Sequence, residues 1–203
     1  MGMVTDIVDK RGQVEIWLDG VCFSRIRRAH FGKCPLEIGQ DIDPDAYLEA
    51  VAAAQLPDAY EAALTALDAS ERSAQEVASA LRRRGYVQGA IDAVVKRLRE
   101  NRLLDDARYA QRMAELQSKR PMGVYAFKRR LRAKGISESD AQAAMDAFDE
   151  DQQREACLAA ARSLIRKYES LPRRETRAKL SQALARRGFA WDAIESALDS
   201  ILD

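Results

Sequence analysis

Leu81-Arg82-Arg83-Arg84-Gly85-Tyr86, Leu131-Arg132-Ala133-Lys134-Gly135-Ile136 and Leu184-Ala185-Arg186-Arg187-Gly188-Phe189 are one arrangement written three times. Recurrence at an interval of about fifty residues marks a repeat architecture, so a supersecondary unit decides the fold. Apolar side chains stand eight and four residues before each glycine: Val77, Phe127 and Leu180, then Leu81, Leu131 and Leu184. Others stand one, six, ten and thirteen residues after it: Tyr86, Ile136, Phe189; Ile91, Ala141, Ile194; Val95, Met145, Leu198; Leu98, Phe148, Ile201. The two positions before the glycine share one helical face, the glycine supplies a left-handed stop, and the later positions trace the buried stripe of a second helix.

A further amphipathic segment precedes each pair, carrying Tyr60, Leu64 and Leu67, then Tyr109, Met113 and Leu116, then Leu158, Leu164, Ile165 and Tyr168. The unit is therefore a three-helix module. Start signals agree: Ser73-Ala74-Gln75-Glu76 reads as a capping box, Ser137 and Ser139 precede the helix after Gly135, and Asp105-Asp106 sits where helix-start carboxylates belong. The expected fold is mainly α, tandem three-helix repeats in an elongated, curved array behind a small N-terminal β-meander. The expected division is 1–56 for the meander and its helix, then repeats at 57–106, 107–150 and 151–203.

The meander is read from residues 4–26. Val14, Ile16 and Leu18 alternate with polar neighbours, Asp19-Gly20 is a hairpin signal, and Val21-Cys22-Phe23 resumes the strand. An earlier strand runs near Val4 to Val8, with Lys10-Arg11-Gly12 as the turn. The helix opened by Asp43-Pro44 offers Tyr47, Leu48 and Val51 to cover the sheet, and Leu56-Pro57-Asp58 marks the boundary before the repeats.

Of the 203 residues 47% are apolar, many of them alanine, and 32% are charged with a formal net charge of +1. Alanine permits close helix approach but buries little area, so an isolated module should be marginal. Near-neutrality argues against a purely electrostatic nucleic-acid binder. Cys22, Cys34 and Cys157 are scattered, without a CxxC pair, signal peptide or membrane-length apolar run, which points to a reducing cytoplasm and no membrane.

Catalytic chemistry finds little support. The one histidine, His30, has no nucleophile motif around it and is expected to be exposed or packed; Cys22, His30 and Cys34 do not match the spacing of zinc sites. No phosphate-binding loop or hydrolase elbow occurs, so no catalytic, cofactor or metal residue is assigned and an enzyme is the least favoured class.

Charge segregation is the remaining signal. Between 119 and 134 lie Lys119, Arg120, Lys128, Arg129, Arg130, Arg132 and Lys134 without an acidic residue, whereas 138–155 holds seven acidic residues against Arg154. With Phe127 and Leu131 facing inward, Lys128 and Arg132 form one solvated row and Arg130 and Lys134 another. Further clusters stand at Arg82-Arg83-Arg84, at Lys96-Arg97 with Arg99 and Arg102, and at Arg173-Arg174 with Arg177 and Lys179. Any single arginine here is better explained by an ordinary solvated helix face; their repetition weighs against that for the set, which suits phosphate backbones or an acidic protein surface, and the mixed signs favour a protein or nucleoprotein target over naked DNA. Tyr125 could stack on a base, but at 6% aromatic content most rings are needed in the cores and base readout is not supported. The partner-binding candidates are Arg82, Arg83, Lys96, Arg97, Lys119, Arg120, Lys128, Arg129, Arg130, Arg132 and Lys134.

The run from Arg72-Ser73 through Leu81, Gly85-Tyr86, Ile91, Leu98 and Leu103-Leu104-Asp105-Asp106-Ala107-Arg108-Tyr109-Ala110, with Gly123, Leu131 and Lys134-Gly135-Ile136, resembles the RecX family of recombination regulators. The resemblance covers about residues 58 to 203 and is weakest in the third repeat. It implies a cytoplasmic, non-enzymatic protein of tandem three-helix repeats that binds the RecA recombinase filament on DNA; a monomer without cofactors is expected. Such a protein inhibits strand exchange and coprotease activity, in DNA repair and the SOS response. The alternative is a helical repeat protein that binds DNA directly.

Overall fold

The structure, a computed structural model, describes residues 1–117, 122–146 and 148–202. They form two compact units, Met1–Asp105 and Asp106–Asp203.

The first unit begins with four antiparallel strands, β1 (Gly2–Lys10), β2 (Gln13–Leu18), β3 (Val21–Arg27) and β4 (Asp41–Ile42), in the order β3-β2-β1-β4. Both hairpins turn on two residues of positive φ, Arg11-Gly12 and Asp19-Gly20, the left-handed pair that matches strand twist. The two-residue β4 pairs with Gly2 and Met3 and was not expected: two residues carry no alternation to read. Val4, Val14, Ile16, Leu18 and Ile26 face Tyr47 and Val51 of the following long helix, which thus provides the cover the sheet needs.

Between them lies the single turn α1 (Arg28–Phe31), and the covering helix is α2 (Pro44–Ala69), capped by Asp43. The expected break at Leu56-Pro57-Asp58 does not occur. α2 runs through Pro57, and its buried positions Tyr47, Val51, Gln55, Ala59 and Ala63 form one stripe. Tyr47 and Val51 belong to the sheet's core, Ala59 and Ala63 to that of the first repeat. One helix serves two cores, so packing outweighs the cost of proline inside it.

The first repeat is completed by α3 (Ala74–Arg83) and α4 (Gln88–Glu100). The capping box is present in both directions, Ser73 accepting from the Glu76 amide and Glu76 from the Ser73 amide. The second repeat is α5 (Asp106–Gln117), α6 (Val124–Ala133) and α7 (Glu138–Met145), the last N-capped by Ser137. The third is α8 (Glu150–Ile165), α9 (Arg173–Arg186) and α10 (Trp191–Leu202), with a 3-10 turn at Arg166–Tyr168. There the lengthened connection is tied back by Thr176, whose hydroxyl meets the carbonyls of Tyr168 and Leu171 at 3.1 and 3.2 Å.

Each repeat has its own buried cluster, and Gly85, Gly135 and Gly188 take φ of 79, 75 and 82°, where a side chain costs about 1–2 kcal/mol. The columns eight and four residues before the glycine are fully buried in all three copies. Ten residues after it, Val95 and Met145 are only half-buried. In the third copy Leu198 is buried as expected, but the position that is buried in all three is the one before, held by Val94, Ala144 and Ala197. Two alanines hid that column from a hydrophobic pattern.

Within the second unit, repeats two and three meet through backbone. Three consecutive carbonyls at the end of α9 accept from the start of α6: Arg187 from the Gly123 amide at 3.1 Å, Gly188 from the Tyr125 amide at 3.0 Å, and Arg186 from the Arg129 guanidinium at 3.4 Å. α6 has no side-chain cap of its own, so another helix's C-terminus satisfies two amides at its start and the opposed dipole ends attract. A Cβ on Gly123 would overlap the backbone of Gly188 and Phe189, which explains the glycine by approach rather than by φ.

Candidate functional site

The basic candidates divide between the two units. In the first, Arg82 and Arg83 occupy the last turn of α3 and are exposed. The Arg82 guanidinium donates to Gln88 Oε1 at 2.9 Å, and Gln88 Nε2 to Asp92 Oδ1 at 2.7 Å, so Arg82 is held against the start of α4. On α4, Lys96 lies 4.0 Å from Glu100, an exposed pair of little energetic consequence. Arg97 stands 4.7 Å over the Tyr60 ring, whose hydroxyl accepts from Asn101 Nδ2 at 3.1 Å.

In the second unit, the two rows expected on α6 are not equally wet. Glu138, in the first turn of α7, takes Lys128 and also Arg132 at 2.6 Å, and Lys128 donates to Gln142 Oε1 at 3.3 Å. Lys128 is accordingly only 19% exposed at its side chain. The two cations hold the Glu138 carboxyl below its ordinary range, Lys128 most strongly. The acidic run after Gly135 thus neutralises part of the basic run before it, inside one module. Lys134 lies 5.5 Å from the centre of the Tyr109 ring, and Arg129 is engaged at the α9 terminus. Arg130 is exposed in the last turn of α6. Lys119 and Arg120 lie outside the described residues.

A physical regularity underlies the repeated cations. Arg82 and Arg83, Arg97 and Arg99, Arg130 and Arg132, and Arg186 all fall in the last turn of their helices, where positive charge complements the unsatisfied carbonyls. Their placement has a structural cause, and it leaves an exposed basic turn at each repeat.

Sequence reasoning missed the seam between sheet and first repeat. His30, 8% exposed, stacks on Tyr86 with ring centroids 4.7 Å apart. A Cβ on Gly85 would approach Arg27 Cγ to 2.8 Å. Gln55, fully buried on α2, accepts from the Val87 amide at 2.8 Å and caps α4 from outside. A lone histidine and a lone glutamine give no periodic signal, so only the fold reveals that they meet the same turn. His30 therefore packs, one of its two expected roles. Among the described residues no helix is long and apolar enough to cross a membrane.

Known proteins share this plan. Family models described as the first, second and third three-helix domains of RecX match residues 59–98, 105–145 and 150–198. The regulatory protein RecX of Limosilactobacillus reuteri (strain DSM 20016) is 27% identical over 197 residues, 95% of this chain and 74% of that protein. That of Prosthecochloris aestuarii is 33% identical over 135 residues, 65% of this chain and 85% of its own. A crystal structure of regulatory protein RecX superposes with a TM-score of 0.69 at 25% identity, covering 98% of this chain and all of the other. The crystal structure of RecX from Lactobacillus salivarius gives 0.66 at 25% identity over 73% of this chain and 97% of the other.

Proposed function

The chain belongs to the RecX family, and from that membership we propose that it binds the filament formed by the RecA recombinase on DNA and inhibits its recombinase and coprotease activities in DNA repair. On this reading it is a cytoplasmic monomer of the SOS response, works without cofactor or metal, and meets DNA weakly or within the filament. One observation carries the reading beyond the family: each glycine turn presents exposed basic side chains, Arg83 and Arg84, Arg132, and Arg186 and Arg187. A repeated charged turn suits a polymer of identical subunits on a polyanion, where contacts too weak singly gain about a hundredfold or more by linkage.

The experiment reverses cations that hold no core together. Lys128 and Arg132 are poor choices, because Glu138 would be stranded with its partners reversed. The Arg83→Glu, Arg84→Glu variant should keep its helicity while co-sedimentation with RecA on single-stranded DNA and inhibition of RecA ATP hydrolysis fall about tenfold, a loss of roughly 1.4 kcal/mol. Unchanged inhibition removes this face. A protein that instead sediments with DNA equally well without RecA, and loses affinity steeply with salt, is the direct DNA binder of the alternative reading.

A further inference from the structure

Four of the eight large apolar side chains exposed among the described residues belong to the sheet and its loops: Met1, Met3, Val21 and Ile38, of which Met3 is the least exposed at 45%. Hydrogen bonds draw the segments that carry them to one end of the sheet. The Asp19 amide donates to the Met3 carbonyl at 3.0 Å, and the Met3 amide to Asp19 Oδ1 at 3.2 Å. Val21 follows that turn and pairs with Leu18, which in turn lies opposite Val4. The Gly39 amide, next to Ile38, donates to the Val4 carbonyl at 2.8 Å, and Met3 pairs with Asp41 of β4. None of the four belongs to the buried cluster that the sheet shares with α2. A single apolar side chain in water needs no explanation, but four gathered at one end of a sheet do.

Charge is sorted along the same strands. Lys10, Arg11, Arg27 and Arg28 stand at the far end, where Lys10 pairs with Gln13, Gln13 with Arg27, and the Arg28 amide donates to the Gly12 carbonyl. Residues 12–24 and 34–49 contain no lysine or arginine. At the near end Asp19, Glu37 and Asp41 are exposed, so apart from the amino group of Met1 the aliphatic residues are accompanied in sequence by acids.

This combination selects the occupant. A phosphate backbone or an anionic membrane would be repelled, and a second copy docked by the same face would set Asp19, Glu37 and Asp41 against their own equivalents. A segment with aliphatic residues among lysines or arginines answers both properties: burial of the apolar groups supplies affinity, and the charges supply orientation and encounter rate.

We propose that this end of the sheet is a docking surface for a basic, aliphatic-bearing segment of another protein, seated on Met3, Val21 and Ile38 with its cations toward Asp19, Glu37 and Asp41. The surface goes beyond the filament reading and does not rest on it, since it lies on the sheet, takes the opposite charge and needs no DNA.

The probe is the labelled peptide acetyl-Leu-Lys-Leu-Lys-Leu-amide, followed by fluorescence anisotropy against the full chain without RecA or DNA. It should bind, and bind less as salt screens the acids. The Val21→Thr, Ile38→Ser variant, which changes exposed side chains and spares the core, should bind it about tenfold more weakly. The Glu37→Gln, Asp41→Asn variant should lose most of the salt dependence. Amide exchange of the natural chain should slow at residues 19–21 and 37–41 when the peptide is added, a reading that stands even if a variant fails to fold. Unchanged affinity in both folded variants, no slowing at those amides, or equal binding of the peptide with glutamate in place of lysine overturns the surface. So does self-association that Val21→Thr, Ile38→Ser abolishes, which would make the occupant a second copy, or equal binding to phosphatidylcholine vesicles, which would make this a lipid face. Failure of the peptide to bind while RecA inhibition persists sinks this proposal alone.

Discussion

His30 shows how one side chain ties a sheet to a helical repeat. It is stacked on Tyr86; burial, helped by the positive charges of Lys33 and Arg27, outweighs the opposing pull of the Gly85 backbone and Asp58 and pushes its pKa below the ordinary 6.5. The folded state therefore binds fewer protons at this site than the unfolded chain. Its contribution is complete above about pH 6.5 and is lost as pH falls from there through the lowered folded value. Melting temperature followed from pH 7.5 to 5 should decline in the natural chain and decline less in His30→Phe, which keeps the stack without the proton. An equal decline in both would show that the seam does not sense acid. None of this was legible beforehand, because a single histidine in a predicted loop offers only a choice between exposure and packing.

At the scale of elements, α2 corrects the sequence reading most clearly. Proline midway along a helical pattern reads as a stop, yet the stripe from Tyr47 to Ala63 keeps its four-residue spacing straight through Pro57. The four-residue stripe and the breaker point opposite ways, and burial against two cores decides between them. Pro57→Ala restores an amide that can bond the Ala53 carbonyl and relieves the ring's clash. Part of the intrinsic gain of about 3 kcal/mol is offset by the freer unfolded chain, leaving a net stabilisation of about 1–2 kcal/mol in urea denaturation. Destabilisation would mean that the kink itself seats Ala59 and Ala63. Elsewhere the elements were legible where the code is local: the capping box at Ser73, the hairpin at Asp19-Gly20, the glycine stops. The α9–α6 junction was not, since its partners lie about sixty residues apart and act through backbone, which no side-chain pattern records.

At the scale of the molecule, four buried clusters among the described residues distribute stability among the sheet and three repeats. Damage should stay where it is made. Leu131 is fully buried beside Phe127, and Leu131→Asp would leave an isolated carboxylate there, at a cost of several kcal/mol that a small alanine-rich core cannot absorb. Amide exchange should then lose protection through Asp106–Asp203, while the strands and α2 to α4 of Met1–Asp105 keep theirs. Simultaneous loss in both units would show that they fold as one. The repeats themselves were readable because six apolar columns and a glycine recur together. The reach of the basic faces was less so, since Glu138 intercepts Lys128 and Arg132 and no spacing rule says which acid a lysine will choose.

The backbone seat beneath Gly123 also has a temporal side. A ribosome delivers residues in order, and the opening amides of α6 emerge long before the carbonyls that receive them. Until residue 188 has left the exit tunnel the second repeat has a helix with an uncapped beginning, so the nascent chain is expected to finish its middle portion only when its last portion arrives.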